Sequence, residues 1–255
     1  FNDDITGTGC VAAGAMLSAL RSYTGMKARE LTIVMYGAGA GGIGVAERIA
    51  SLMVEEGATW EEAYSRFFIV DSQGLITQDR EDYRNKKMQA HKLPWARVHE
   101  KFADYGDLLD VIKKVKPQVL LGLSTIGGSF NSEILAALAE GCQEHTPLVM
   151  ALSNPTVKAE CTPVQAIEGT GGRVMYCSGS PFAPVTYPNG VTIQTSQCNN
   201  FYVFPAIGLG SSVCEASAIT DSMISAVSHG LAELVDIEDI KKGVLLPPID
   251  DIRSI

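Results

Sequence analysis

The stretch ELTIVMYGAGAGGIG, residues 30–44, joins a short apolar run to a run of glycines. Residues 30–36 are mostly apolar and include β-branched side chains, which predicts a buried β-strand. Gly37, Gly39 and Gly42 follow with the spacing GxGxxG, and a helical pattern continues from about residue 42 to residue 56. A strand, a glycine-rich turn and a helix in this order are typical of the first unit of a doubly wound α/β domain.

The glycine run has the composition of a phosphate-binding turn. Glycines permit a tight turn and a close approach of the backbone to a pyrophosphate, whose charge is favoured at the N-terminus of the next helix. A second predicted strand, residues 67–70, ends at an acid placed to accept hydrogen bonds from an adenosine ribose. This context favours a dinucleotide site over the alternative, a tightly packed strand–helix turn without a ligand. The residues predicted to contact the dinucleotide are Gly37, Gly39, Ala40, Gly41, Gly42, Ile43 and Asp71.

Asp71 also bears on the choice between nicotinamide cofactors. A carboxylate at that place would repel a 2′-phosphate, so the sequence favours NAD over NADP. Lys86 and Lys87 leave NADP open, because a lysine folding back from that loop could pair with the phosphate. The alternative for these lysines is a solvated basic face. Asp71 lies 29 residues beyond Gly42, more than the roughly 20 usually found, so we expect the helix between them to be extended.

The rest of the chain repeats the alternation of strands and helices. Continuous apolar strands are typical of a parallel sheet that is buried on both faces. Residues from about 205 to 235 are rich in Ala, Ser and Gly and predict a helical tail. We therefore expect residues 1–255 to form one doubly wound, Rossmann-type α/β domain with a helical C-terminal tail. The further strands are predicted at residues 118–123, 148–152, 174–177 and 192–194.

The overall composition limits the class of partner. Lys and Arg total 20 against 29 Asp and Glu, a net charge of −9, which argues against nucleic acid or an anionic membrane surface. No apolar run approaches the roughly 20 residues that cross a bilayer. The six cysteines are scattered without a CxxC pair, which favours reduced thiols in a cytoplasmic protein over a zinc site or a disulfide framework.

Four other polar residues admit both a chemical and a structural interpretation. Asp3 and Asp4 precede the first predicted helix, residues 8–23, and could ligate a hard divalent cation or only cap that helix. Asn154 and Asn200 follow strands, where α/β sheets place ligands, but turn residues of this kind also occur there without one. From the residues alone these alternatives stay open.

Six blocks of the sequence occur in an order that resembles the malic enzymes, a family that includes the malolactic enzymes. They are FNDDITGT (1–8), GAGAGGIG (37–44), VDSQGL (70–75), ALSNPT (151–156), SGSPF (178–182) and QCNN (197–200). The resemblance runs from residue 1 to about residue 210, and the helical tail is consistent with it. The sequence departs from the family pattern at Thr6, where Gln is usual, and at Cys198, where Gly is common.

The resemblance implies an activity and a set of roles. The activity is NAD-dependent oxidative decarboxylation of L-malate to pyruvate and CO₂ with Mg²⁺ or Mn²⁺. The roles implied by position are Asp4 as a metal ligand, Asp3 as support for the catalytic base, Asn154 and Asn200 for the substrate, and Thr8 and Asn199 for the cofactor.

The resemblance also implies parts that these residues do not contain. In the family, a tyrosine acid, a lysine base, a substrate arginine and a Glu-Asp metal pair precede the first block. We therefore expect an N-terminal catalytic domain to be missing here, and the fragment alone to turn over little malate. A homo-oligomer, dimer or tetramer, is also implied. The first helix and the tail are expected to pack against the missing half or another subunit.

Three other functions stay open at this point. The first is conversion of malate to lactate with retained NAD, as in the malolactic enzymes. The second is a non-catalytic dinucleotide-binding module. The third is another Rossmann dehydrogenase that acts on an amino acid or a hydroxy acid.

Overall fold

The computed structural model describes residues 2–23, 25–98, 106–187 and 192–249, without the side chain of Asp4. The strands in these ranges are β1 (Ile33–Tyr36), β2 (Phe67–Asp71), β3 (Gly74–Leu75), β4 (Val119–Gly122), β5 (Leu148–Ala151), β6 (Met175–Ser178), β7 (Val185–Thr186), β8 (Thr192–Ile193) and β9 (Ser196–Gln197). The α-helices are α1 (Thr8–Leu20), α2 (Ala40–Glu55), α3 (Trp60–Ser65), α4 (Glu81–Arg84), α5 (Leu108–Val115), α6 (Ser132–Gly141), α7 (Pro163–Gly169), α8 (Phe204–Val213), α9 (Asp221–Glu233) and α10 (Ile237–Ile240). A π-helical turn, Asp3–Gly7, leads directly into α1.

The main sheet of the described residues has the strand order β3-β2-β1-β4-β5-β6-β9. All neighbouring strands are parallel except β2 and β3, which are antiparallel. The chain passes from β1 outward to β2 and then returns to the other side of β1 as β4. This reversal opens a crevice at the carboxyl ends of β1 and β4, where doubly wound sheets bind ligands. The predicted Rossmann-type fold with a helical tail is confirmed.

The core lies on both faces of this sheet because successive strand residues point to opposite sides. Ile33 and Met35 of β1 belong to the cluster that includes α1, α2 and α9. Val34, between them, belongs to the cluster on the other face, which includes α5, α6 and α7. Continuous apolar strands are therefore required here, as the sequence pattern predicted.

The structure corrects the expectation of an extended helix before Asp71. The helix α2 begins at Ala40, two residues earlier than predicted, and ends at Glu55. A separate short helix, α3, follows it and supplies the additional length before β2. Thr59 caps α3, because its hydroxyl accepts a hydrogen bond from the Glu62 N–H while Glu62 accepts one from the Thr59 N–H.

The predicted strand at residues 192–194 is also corrected. Its residues form β8, which pairs antiparallel with β7 outside the main sheet. The last strand of the main sheet is β9, where Ser178 pairs with Gln197. A two-residue strand of polar side chains has no hydrophobic pattern, so only its pairing with β6 identifies it.

The prediction that the first helix packs against a missing half or another subunit is wrong for α1. Almost every residue of α1 is buried, and its partners are α2 and α9. At Gly14 a Cβ would lie 3.2 Å from the Leu231 Cβ, and Cys10 Sγ lies 3.2 Å from Ser228 Oγ. The small side chains of α1 therefore allow close approach to the tail of the same chain.

The helix α8 differs from α1, because it leaves large apolar side chains exposed. Phe204 is 58% exposed, Leu209 69% and Val213 74%. Within the described ranges, no helix has the length and apolar character needed to cross a membrane.

Candidate active site

Packing explains Gly37 and Gly42, the first and last glycines of the GxGxxG motif. Gly37 has φ of 113°, and a Cβ there would lie 2.3 Å from the Leu123 carbonyl oxygen that follows β4. A Cβ on Gly42 would lie 2.7 Å from the Gly37 oxygen and 2.9 Å from the Met35 methyl carbon. Both positions exclude a side chain, because the turn packs against the backbone that follows β4 and the first turn of α2 packs against Gly37 and β1.

Packing does not explain the other two glycines of the turn. A Cβ on Gly39 or Gly41 would meet no described atom within 4 Å. Gly39 caps α2 in an extended conformation, with φ of −70° and ψ of 170°. The N–H groups of the first helical turn, residues 40–42, have no intrahelical acceptors, and they lie at the positive end of the helix dipole. This open side of the turn favours a bound phosphate over the ligand-free alternative.

Asp71 lies at the end of β2 beside a cleft of about 610 Å³. Its Oδ1 accepts hydrogen bonds from Arg80 at 2.8 Å and from the Gln73 N–H at 2.9 Å. Its Oδ2 accepts one from the Lys92 ammonium at 2.9 Å. Burial opposes ionisation, but hydrogen bonds from Arg80 and Lys92 outweigh it and hold the pKa of Asp71 below its ordinary value. The cleft is lined by Tyr36, Asp71, Gln73, Asp107, Asn131 and Ile134, among others.

Sequence reasoning missed the cations that contact Asp71. It considered Lys86 and Lys87, which are exposed, whereas the structure brings Arg80 and Lys92 to this carboxylate. These residues come from the charged segment after β3, which has no hydrophobic period to show which side chains turn inward. The signal available in the sequence was an arginine nine residues after Asp71.

Asp3 and Asn200 come together although they lie near opposite ends of the chain. The side-chain amide of Asn200 donates a hydrogen bond to Asp3 Oδ2. The other oxygen, Oδ1, is buried and has no hydrogen-bond partner among the described residues. A Cβ on Gly7 would lie 2.5 Å from that oxygen, so the π-helical turn closes tightly around the carboxylate.

The surroundings of Asp3 Oδ1 indicate whether these residues fit a bound cation. A buried carboxylate oxygen without a donor is costly unless a cation or another donor completes it, so Asp3 fits such a group. The predicted metal ligand, Asp4, has its side chain outside the described residues. No cluster of three or more His, Cys, Asp or Glu side chains that could hold a metal occurs in the described part of the chain.

The other predicted site residues lie at the carboxyl edge of the sheet or beside it. Asn154 follows β5, and its Oδ1 accepts a hydrogen bond from Ser180 Oγ at 2.8 Å. Asn199 follows β9 and accepts one from the Phe201 N–H at 3.1 Å. Thr8 begins α1 directly after the turn that carries Asp3.

Fold and site together define a Rossmann-type dinucleotide-binding domain, with an open glycine turn at the strand-order reversal. Residues 5–255 match the family described as malic enzyme, NAD binding domain. The chain belongs to this family, which confirms the resemblance found in its sequence.

Similar proteins include both NADP- and NAD-dependent malic enzymes. The chain is 44% identical over 255 residues to the NADP-dependent malic enzyme of Dictyostelium discoideum, covering 100% of this chain and 45% of that protein. It is 42% identical over 260 residues to the NAD-dependent malic enzyme of Acinetobacter baylyi, covering 100% and 44%. The crystal structure of Entamoeba histolytica malic enzyme matches with a TM-score of 0.76 and 25% identity, over 99% of this chain and 46% of that one. The chain thus spans a little under half the length of these proteins.

Proposed function

We propose that this chain is the cofactor-binding part of a malic enzyme that converts L-malate to pyruvate and CO₂ with NAD⁺. The observation that carries the proposal is the contact between Asp3 and Asn200 in a chain of the malic enzyme family. It places a carboxylate and a carboxamide in one cluster within a dinucleotide-binding fold. A carboxylate that can support a base and a carboxamide that can bind a hydroxy acid are the groups this reaction needs.

The described residues would contribute binding and orientation. The open glycine turn would hold the pyrophosphate, with the adenosine in the cleft beside Asp71. The nicotinamide end would then point along the crevice toward β4 and β5. Asn154 and Asn200 would donate their amide hydrogens to the carboxylate and hydroxyl oxygens of malate, which orients C2 for hydride transfer.

Asp3 would act through its unpartnered oxygen. A protonated base beside Oδ1 would be stabilised by the negative charge of Asp3, which favours removal of the malate hydroxyl proton. Asp4, with Asp3 beside it, would hold Mg²⁺ or Mn²⁺ together with ligands from elsewhere in the enzyme. When bound, that ion supplies Lewis-acid stabilisation of the oxygen charge that develops during decarboxylation.

For the cofactor, NAD is proposed over NADP. Lys92 and Arg80 both pair with the Asp71 carboxylate at the end of β2, although Arg80 also pairs with Asp82. A 2′-phosphate would have to compete with this carboxylate for them, and it would be repelled by the same charge. A ribose hydroxyl carries no such penalty.

The complete enzyme is proposed to include a second domain and to form a dimer or tetramer in the cytoplasm. The exposed apolar side chains of α8 support a covering partner, because a helix with this pattern leaves apolar surface in water. The relatives, of which this domain makes up 45% and 44%, support a further domain.

The experiment uses the longest natural chain that contains these residues, with L-malate, Mn²⁺ and NAD⁺. We expect NADH and pyruvate to appear in equal amounts, with D-malate and metal-free reactions as controls. Lactate without net NADH would instead assign the chain to the malolactic type. NAD⁺ binding without either product would favour a non-catalytic module or a dehydrogenase for another substrate. The 255-residue chain alone is expected to bind NAD⁺ with little or no malate turnover.

A further inference from the structure

Glu160 is a fully buried carboxylate at the carboxyl edge of the sheet, with 0% of the residue exposed. Its Oε1 accepts hydrogen bonds from the Ser124 N–H at 2.9 Å, the Ser124 hydroxyl at 2.8 Å and the Ser153 hydroxyl at 2.5 Å. Its Oε2 accepts a longer one, 3.4 Å, from the Ser153 N–H. A buried carboxylate is tolerated only with such donors, and here all four come from two serines on two different loops.

The residues that surround Glu160 in the fold leave room for its carboxylate. A Cβ on Gly122, the last residue of β4, would lie 2.5 Å from the Glu160 carboxyl carbon. Thr125, in the loop that follows, has φ of 59°, a left-handed conformation that is costly for a β-branched residue. Its N–H donates a hydrogen bond to Ser153 Oγ at 2.9 Å. The hydroxyl of Ser153 therefore links Thr125 to the carboxylate.

The two loops that Glu160 joins have different neighbours. The loop after β4 begins at Leu123, whose carbonyl lies against Gly37 of the glycine turn. This loop forms one wall of the crevice at the strand-order reversal. The loop after β5 continues from Ser153 to Asn154, one of the predicted substrate residues. Glu160 thus connects the cofactor crevice to the substrate side.

We propose that Glu160 is a positioning residue for the nicotinamide end of the cofactor and for Asn154. Its carboxylate holds the two loops in register and contacts neither ligand. The proposal rests on the proposed function for the role of Asn154. For the crevice wall it needs only that the domain binds a dinucleotide.

The first test is Glu160→Gln, which keeps the size of the side chain. The amide NH₂ of Gln would replace Oε2, so a donor would face the Ser153 N–H where an acceptor stood. The negative charge would also be lost. Glu160 and its two serine partners lie beyond β4 and β5, whereas the adenosine cleft lies by Asp71 at the end of β2. Because the loop that forms the crevice wall is no longer held in place, we expect the Kd of NAD⁺ to rise about tenfold, while the Kd of AMP changes less than about twofold. Both are measured by titration calorimetry on the longest natural chain.

The matched control is Thr170→Val. Thr170 is also buried, but its hydroxyl donates only within its own segment, to Ala166 O at 2.7 Å and Ile167 O at 3.3 Å. This variant is expected to lower the melting temperature and to leave both dissociation constants unchanged. Ser124→Ala and Ser153→Ala each remove one hydroxyl donor to Glu160. If Glu160→Gln does not fold, the dissociation constants of NAD⁺ and AMP are compared in these two variants.

Two results would overturn the proposal. Equal weakening of NAD⁺ and AMP would show a general loss of structure, and unchanged NAD⁺ affinity would show that the loops hold without the carboxylate. If the proposed function is correct, Glu160→Gln also raises the KM for malate. A wild-type enzyme that binds NAD⁺ but does not oxidise malate would contradict the proposed function and leave the nucleotide measurements of Glu160 intact.

Discussion

Asn200 donates a hydrogen bond from its side-chain amide to the carboxylate of Asp3, although 197 positions separate the two residues. Asp3 lies in the turn before α1, and Asn200 follows the last strand of the sheet. The contact forms because α1 packs between α2 and α9, which returns the start of the chain to the carboxyl edge. The substrate side of the proposed site is therefore assembled by the closure of the whole domain.

Asp3→Asn is expected to reduce malate turnover by at least about 10²-fold, the usual effect of losing acid–base assistance. The shape of the side chain is kept, but the charge that would support the base is removed. NAD⁺ affinity should be nearly unchanged. Steady-state kinetics and an NAD⁺ titration on the longest natural chain measure the two effects. The control is Asp236→Asn, at a helix cap where the side chain makes no capping hydrogen bond. Full turnover in Asp3→Asn would contradict the assigned role.

Two glycines of the same turn are expected to respond differently to alanine. Gly39→Ala meets no steric contact and has an ordinary φ, so its unfolding free energy should stay within about 0.5 kcal/mol of the wild type. Its methyl group would block the approach of a pyrophosphate, and NAD⁺ affinity should fall at least about tenfold. Gly37→Ala should instead destabilise the fold by about 2–4 kcal/mol, because of its φ and its contact with Leu123.

Denaturant unfolding and NAD⁺ titration of the two alanine variants make this comparison. Gly230→Ala in α9, where a Cβ meets nothing within 4 Å, is the control. If Gly39→Ala bound NAD⁺ as the wild type does, the phosphate would not lie on the open side of the turn.

Asp71→Ala is expected to shift the cofactor preference toward NADP⁺. The substitution removes the carboxylate that pairs with both Arg80 and Lys92. Lys92 then becomes available to a 2′-phosphate, while Arg80 keeps its ion pair with Asp82. The ratio of the Kd for NADP⁺ to that for NAD⁺ should fall at least about tenfold. In the double variant Asp71→Ala/Lys92→Ala, most of this gain should disappear. An unchanged ratio in Asp71→Ala would place the 2′-oxygen away from this ion pair.

Asp71 should also make stability depend on pH. Its folded-state pKa is lowered, because the hydrogen bonds from Arg80 and Lys92 outweigh the burial that opposes ionisation. The ionised group therefore stabilises the fold fully above its unfolded pKa, and this contribution is lost as the pH falls through the folded pKa. Asp71→Asn should cost about 1–3 kcal/mol at pH 7, and the difference from the wild type should shrink below about pH 4. Urea unfolding from pH 3 to 8 measures it, and a constant difference would argue against the ion pair.

The six thiols should differ in reactivity. Cys214 is exposed and the other five are buried. Burial raises the pKa of Cys10, Cys142 and Cys177, which lowers their thiolate fraction further. A disulfide reagent at pH 8 should therefore modify one thiol per native chain quickly, and the rest only after unfolding. Cys214→Ser should remove the fast reaction. Several fast thiols in the native protein would show that the core opens readily.

Local patterns were sufficient for the central strand–turn–helix unit. The apolar run before Gly37 and the glycine spacing lie within residues 30–44, and the structure places β1 and the start of α2 there. Patterns failed where an element is short or polar. The strand β9 has two polar residues, and only its hydrogen bonds to β6 define it.

The candidate site divides in the same way. The glycine turn and Asp71 could be named in advance, because each follows an apolar strand directly. The partners of Asp71 could not, since the segment that carries Arg80 and Lys92 has no hydrophobic period. Glu160 had no signal at all in the sequence, because its role depends on loops that meet only when β4 and β5 lie side by side.

The amino-acid sequence by itself determined the fold class, the glycine turn and the family, because strand burial, turn geometry and motif order are properties of short segments. Only the tertiary structure decided that Asp3 meets Asn200, that α1 packs against α9, and that Arg80 and Lys92 neutralise Asp71. Each of these joins residues whose pairing depends on how the separate elements pack. That packing is set by the shape and burial of the whole core, which no local pattern encodes.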